Sequence, residues 1–155
     1  APLNPWNLAR HWGISVVNVE NVPGLDTASI QRLLNEDQDS WSAVTLSKDH
    51  GNLIILNSSH TGFRPASNLM HELAHIGCGH KPAQIVVNEK GYMMVISYDK
   101  RQEEEASWLA GCMLLPRAAI MYIRHQQMTE EEAIQIYSVS RARSSHASSM
   151  KSTIR

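Results

Sequence analysis

The run Pro65-Ala66-Ser67-Asn68-Leu69-Met70-His71-Glu72-Leu73-Ala74-His75-Ile76-Gly77 carries more information than any other part of this chain. Pro65 suits the first turn of a helix, where its missing N–H has no partner to lose. Gly77 or Gly79 can end that helix. Inside it, His71 and His75 stand four residues apart and so share one face, a turn from each other. Two imidazoles placed in this way can both reach one tetrahedral zinc ion at about 2.0–2.1 Å. Glu72, directly after the first histidine, is set to take a proton from a metal-activated water. Leu69, Leu73, Ala74 and Ile76 anchor the helix in a core, which leaves the metal face rigid.

Two histidines do not complete a metal site, which needs a third protein ligand. One zinc-peptidase pattern puts a histidine six residues after the second ligand and a glycine at the third. Here those positions are Lys81 and Cys78, flanked by Gly77, Gly79 and His80, so every element misses by one. The other pattern takes a carboxylate from a second helix. Residues 101–116 offer it: Glu103, Ala106 and Ala110 fall on one helical stripe, and the small alanines let two helices approach closely. Glu105, on a different stripe with Leu109 and Cys112, is the alternative. Glu104 reads as part of a solvated acidic first turn favoured by the helix dipole.

Around these two helices the pattern is mixed. Asn4 can cap a helix with Pro5 at its first position, running to about Trp12. Residues 14–20 read as a strand, and 27–35 as a short helix. Strands at 42–46 and 53–56 flank a turn at Lys48-Asp49-His50-Gly51. A second hairpin is expected from 85–87 and 93–96. Beyond Arg101 the chain reads as helical, broken at Pro116, with a capping box in Thr129-Glu130-Glu131-Glu132. The order predicts an α+β fold with a small mixed or antiparallel sheet, a central HExxH helix and a helical C-terminal half.

In these blocks the sequence resembles the ImmA/IrrE family of small metallopeptidases. The first block is Asn4-Pro5-Trp6, the Ile14–Val19 strand and Val22-Pro23-Gly24-Leu25. The second is Leu53 to Asn57 leading into His71–His75. The third, which discriminates best, runs from Glu103, Glu105 and Ala106 to Leu114-Leu115-Pro116. The resemblance implies a zincin-like (gluzincin-type) core with His71, His75 and Glu103 as zinc ligands and Glu72 as general base. It also implies a regulatory protein as substrate, notably a helix-turn-helix repressor, in a phage, mobile-element or stress-response setting. Ser107 stands where the family usually has Asn or Asp, at a position that can orient a ligand histidine. His80, Tyr92 and Tyr98 are the candidates for stabilising the oxyanion. The expected organisation is a metallopeptidase domain over 1–137 and a tail of the same domain, helical or partly disordered, over 138–155.

Composition narrows the alternatives. The chain has 155 residues, 43% of them apolar and 19% charged, with a formal charge of −1. That suits one globular domain. It provides no global basic field for phosphate backbones or anionic lipid. A local basic tail, Arg141, Arg143, Lys151 and Arg155, keeps nucleic-acid contact as a minor reading. No apolar run approaches the roughly 18–20 residues that span a bilayer. Two cysteines, Cys78 and Cys112, make no disulfide framework, so buried reduced thiols and a cytoplasmic location are expected. The main competitor to a peptidase is a zinc-holding interaction module without proteolysis, of regulatory or toxin-like type. The presence of Glu72 argues against it.

Overall fold

Gly51–Leu56 forms the middle strand of the sheet, and its alternation buries Ile54 and Leu56 on one face. The computed structural model describes residues 3–48, 51–81, 85–87, 93–95 and 99–137. Tyr92, Tyr98, Asp49 and His50 of the first hairpin turn, and the tail from 138 onward, lie outside the described residues. Within them the order is α1 (Pro5–His11), β1 (Ser15–Asn18), α2 (Thr27–Gln31), β2 (Ala43–Lys48), β3 (Gly51–Leu56), α3 (Arg64–Gly77), β4 (Ile85–Val87), β5 (Met93–Val95), α4 (Lys100–Leu114), α5 (Arg117–His125) and α6 (Glu130–Tyr137).

The chain is therefore α+β, and its main sheet is mixed, with strand order β1-β3-β2. β1 runs parallel to β3, pairing Ser15 with Leu53 and Asn18 with Leu56. β2 runs antiparallel, pairing Ala43 with Leu56 and Lys48 with Gly51. β4 and β5 form a separate antiparallel pair.

Local chemistry sets most element ends. Asn4 Oδ1 accepts the Asn7 N–H at 3.1 Å and starts α1, as the sequence predicts. The strand expected over 14–20 stops at Asn18 and turns into a single 3₁₀ turn over Val19–Asn21. The helix expected over 27–35 is α-helical only to Gln31, then widens into a π-helical turn over Arg32–Glu36. Asp26 caps its start through the Ser29 N–H at 2.9 Å. The capping box at α6 is reciprocal: Glu132 Oε2 accepts the Thr129 N–H at 2.8 Å, and Thr129 Oγ1 accepts the Glu132 N–H at 3.2 Å.

α3 packs on β2 and β3 with one side, on α4 with another, and on α1 near its end. Leu69, Met70, Leu73 and Ala74 are fully buried there, together with Ala106 and Ala110 of α4. Each large apolar side chain so buried contributes about 1.5–3 kcal/mol. Neither cysteine is fully buried. Both are free and partly exposed, and burial, joined at Cys78 by the charge of Glu105, pushes both thiols above the ordinary thiol range. Among the described residues no single helix is long and apolar enough to cross a membrane.

A buried polar hub fixes the approach to α3. Asn57 donates from Nδ2 to the Gln38 and Trp41 carbonyls at 2.9 and 3.0 Å, and its Oδ1 accepts from the Ser59 N–H at 3.0 Å. His60 donates from Nε2 to the Gln38 carbonyl at 3.2 Å and accepts from Asn68 Nδ2 at 3.1 Å, so its ring is neutral in this network. Burial first, and then the Arg64 charge, hold its pKa below the ordinary 6.5. The unfolded chain therefore binds a proton that the folded chain refuses. This contribution to stability is present above pH 6.5 and is lost as pH falls through the depressed folded value. The expected result is a melting temperature that drops with acidification below pH 6.5, and drops less steeply in His60→Gln. Equal slopes in the two proteins would show that His60 carries none of the dependence.

Candidate metal centre

Three side chains from two helices converge at one point. His71 Nε2 lies 3.1 Å from His75 Nε2, and Glu103 closes the triangle with Oε2 3.0 Å from His71 Nε2 and Oε1 3.3 Å from His75 Nε2. Ligand atoms bound to a tetrahedral ion at 2.0–2.1 Å stand about 3.3 Å from one another. The observed spacings come within a few tenths of an ångström of that figure, so the donor set fits a single divalent cation. The α3 turn delivers the two imidazoles, and the alanine stripe of α4 delivers the carboxylate one turn before Ala106. Asp99, a favoured cap residue that the expectation of a helix from about Arg101 did not use, starts α4, its Oδ1 accepting the Arg101 N–H at 2.9 Å, and this puts Glu103 in the first turn.

The outer contacts fall on the other nitrogen of each ring, Nδ1, and the two Nε2 atoms face the point where a cation would sit. Ser107 Oγ lies 3.4 Å from His71 Nδ1. On the other ring, His75 Nδ1 lies 3.0 Å from His80 Nδ1, and His80 Nε2 lies 3.3 Å from Glu105 Oε2. Glu105 accepts only, so with a cation on His75 Nε2 the protons would run from His75 Nδ1 to His80 Nδ1 and from His80 Nε2 to Glu105. Burial pushes the His75 pKa below the ordinary histidine value, which keeps the ring neutral against the pull of Glu103. The structure thus places His80 behind a histidine of the triangle, and Glu105 beside His80.

The end of α3 explains why His80 arrives there. Gly79 takes φ +68, and the chain doubles back with the Gly79 N–H on the Ile76 carbonyl and the His80 N–H on the His75 carbonyl, both at 3.0 Å. This is a Schellman closure, which needs a residue free to adopt the left-handed region. Gly77 serves a different purpose. A Cβ there would sit 3.2 Å from Cη2 of Trp12 at the end of α1.

Glu72 stands beside the triangle with its carboxylate taken by the sheet. Thr45 of β2 donates from Oγ1 to Glu72 Oε2 at 2.5 Å. Burial raises the Glu72 pKa above its ordinary value. The Thr45 bond opposes that rise, and the negative charge of Glu103 adds to it. Thr45 escaped the sequence reading because it lies 27 residues before Glu72, on a strand whose register only the folded sheet reveals. Replacing Thr45 with Val removes a bond to a charged group worth about 1.5–3 kcal/mol. The expected result is a roughly tenfold or larger fall in kcat. The acid limb of kcat should also move to higher pH, since the one contact that lowers the Glu72 pKa is gone. An unmoved pH profile would mean that Thr45 is a packing residue only.

With this geometry in view, residues 31–147 match the family model of the M78 peptidases, described as the IrrE N-terminal-like domain. The chain belongs to this family. The match spans α3, α4 and the whole constellation just described, and it bears out the family resemblance of the sequence. The M78 peptidases are metallopeptidases, and the His/His/Glu triangle is one of two groups of side chains among the described residues that could hold a metal ion. No curated protein and no solved structure gives a significant match.

Proposed function

We propose that the protein is a zinc-dependent metalloendopeptidase with a zincin-like, gluzincin-type core, acting on a regulatory protein of the helix-turn-helix repressor type. The observation that carries the peptidase reading is the triangle of His71, His75 and Glu103 with the buried carboxylate of Glu72 beside it. The substrate class rests on the family resemblance alone. His71 and His75 through Nε2, with Glu103, would hold the ion. A divalent cation held there supplies the Lewis acidity that polarises a peptide carbonyl and makes water acidic near neutral pH.

The chain's own residues do the remaining work. Glu72, less acidic than an ordinary carboxyl because it is buried, accepts a proton from the attacking water and returns it to the departing amine. Thr45 fixes which oxygen of Glu72 faces the strand and which is left for the proton. β2 is an edge strand of the described sheet. An extended peptide adding along that edge would pair with the strand that carries Thr45, the residue whose hydroxyl holds the Glu72 carboxylate. Such a peptide supplies its own backbone donors and acceptors, which favours an endopeptidase over a small-molecule hydrolase.

The test is metal content of the purified chain, beside Glu103→Ala and Glu105→Ala. The expected result is about one zinc per wild-type chain that survives exhaustive dialysis, lost with Glu103→Ala and kept with Glu105→Ala. A wild-type chain that takes up no metal when zinc is supplied would end the peptidase reading and leave α3 as an ordinary core helix.

A further inference from the structure

A second set of donors lies behind the first. The Schellman turn that ends α3 brings Cys78 and His80 to one side of the helix end, and Glu105 reaches them from α4. One ligand atom from each of Cys78, His80 and Glu105 lies within 4.8 Å of the other two. The His80 side chain is only 7% exposed, whereas that of Glu105 is 57% exposed. The donors are thus held by the fold on one side and reached from solvent on the other. Thiolate, imidazole and carboxylate together make a donor set for borderline-soft divalent ions, with room for water as a fourth ligand.

We propose that Cys78, His80 and Glu105 form a second binding site, for a thiophilic divalent cation such as zinc or cobalt, whose filling opposes the filling of the His71–His75–Glu103 site. Cys78 gives Sγ and releases its proton to solvent as the sulfur–metal bond forms. Glu105 gives an oxygen, and His80 gives Nε2, the nitrogen that points at Glu105.

The opposition follows from where the ring protons must sit, and it rests on the reading of the first site given above. With a cation in the first site, His75 gives it the Nε2 lone pair and carries its own proton on Nδ1, which donates to His80 Nδ1, while His80 keeps its proton on Nε2 toward Glu105. A cation on His80 Nε2 leaves a neutral His80 with its proton on Nδ1, 3.0 Å from His75 Nδ1. His75 then has to accept at Nδ1, which moves its own proton to Nε2, the ligating atom. The two sites therefore call for opposite tautomers of the same pair of rings.

Cobalt titration of the reduced, metal-free full chain tests this by absorbance, with no need for a substrate. In the wild type, visible cobalt absorption without sulfur character should saturate first. A near-ultraviolet thiolate-to-cobalt charge-transfer band should follow at higher cobalt. Cys78→Ser should keep the first signal and lose the band. Glu103→Ala, and independently His71→Ala, should lose the first signal and show the band at roughly tenfold lower cobalt than the wild type. Absence of the band from the wild type and from both first-site variants overturns the second site. A band at the same cobalt concentration in the wild type and those variants overturns the opposition. A band unaccompanied by any sulfur-free cobalt signal would instead sink the first site and leave the second standing.

Discussion

On the function proposed above, Glu72→Gln should lower kcat by roughly 10²–10⁴-fold, the usual contribution of a positioned general base, while leaving metal content and the fold in place. The substitution replaces one carboxylate oxygen with an amide nitrogen and changes almost nothing in size. The remaining amide oxygen can still accept from Thr45. His71, His75 and Glu103 are untouched, so metal content should equal that of the wild type. What disappears is the capacity to take up a proton. In the wild type that capacity is tuned by burial, with Glu103 adding to the effect, and both raise the pKa from the ordinary 4.5. A base must be deprotonated to act, so wild-type activity should fall as pH drops through a value above the ordinary carboxylate range. Turnover of a cleaved protein substrate, measured beside metal content and thermal unfolding, checks the prediction. Wild-type turnover in a metal-replete Glu72→Gln protein would remove Glu72 from the mechanism.

The parts of this site that the sequence shows plainly are the ones governed by local rules. His71 and His75 are one helical turn apart because four residues separate them. The stripe of Glu103, Ala106 and Ala110 is legible because helical periodicity puts small residues under a carboxylate. What the sequence hides depends on distant partners or on a choice between equals. Gly77 and Gly79 are equivalent helix stops when read as letters. The fold distinguishes them because Trp12 lies against Gly77, and only Gly79 takes the left-handed turn that swings His80 back onto His75. The parallel pairing of β1 with β3, and the register that carries Thr45 to Glu72, join segments with no sequence link between them. The widening of the helix after Gln31 has no signal in the sequence that we can identify. Glu105 shows both limits together. Its stripe on α4 was readable, but its partner His80 was not.

Ala106→Leu should weaken metal binding by at least about tenfold without touching a ligand, and destabilise the chain by about 1–3 kcal/mol. Ala106 and Ala110 have no exposed surface and belong to the core shared by α3 and α4. A side chain three carbons larger has no space there, and an overpacked interface relieves itself by moving one helix. The helix free to move is α4, since α3 is also held by the sheet and by α1. Glu103 lies one turn earlier on the same stripe, with its oxygens only 3.0 and 3.3 Å from the two imidazole nitrogens. Metal ligation tolerates displacements of only about 0.2 Å, so a small shift of α4 opens the triangle before it unfolds the domain. Trp108→Leu on the outer side of the same helix is the control, because Trp108 is 60% exposed and its loss should leave metal affinity unchanged. Isothermal titration with zinc, read beside chemical denaturation of the metal-free proteins, separates the two effects. An Ala106→Leu protein that binds zinc like the wild type would mean that the alanine stripe sets packing density alone, and that Glu103 reaches the metal through its own flexibility rather than through the close approach of the helices.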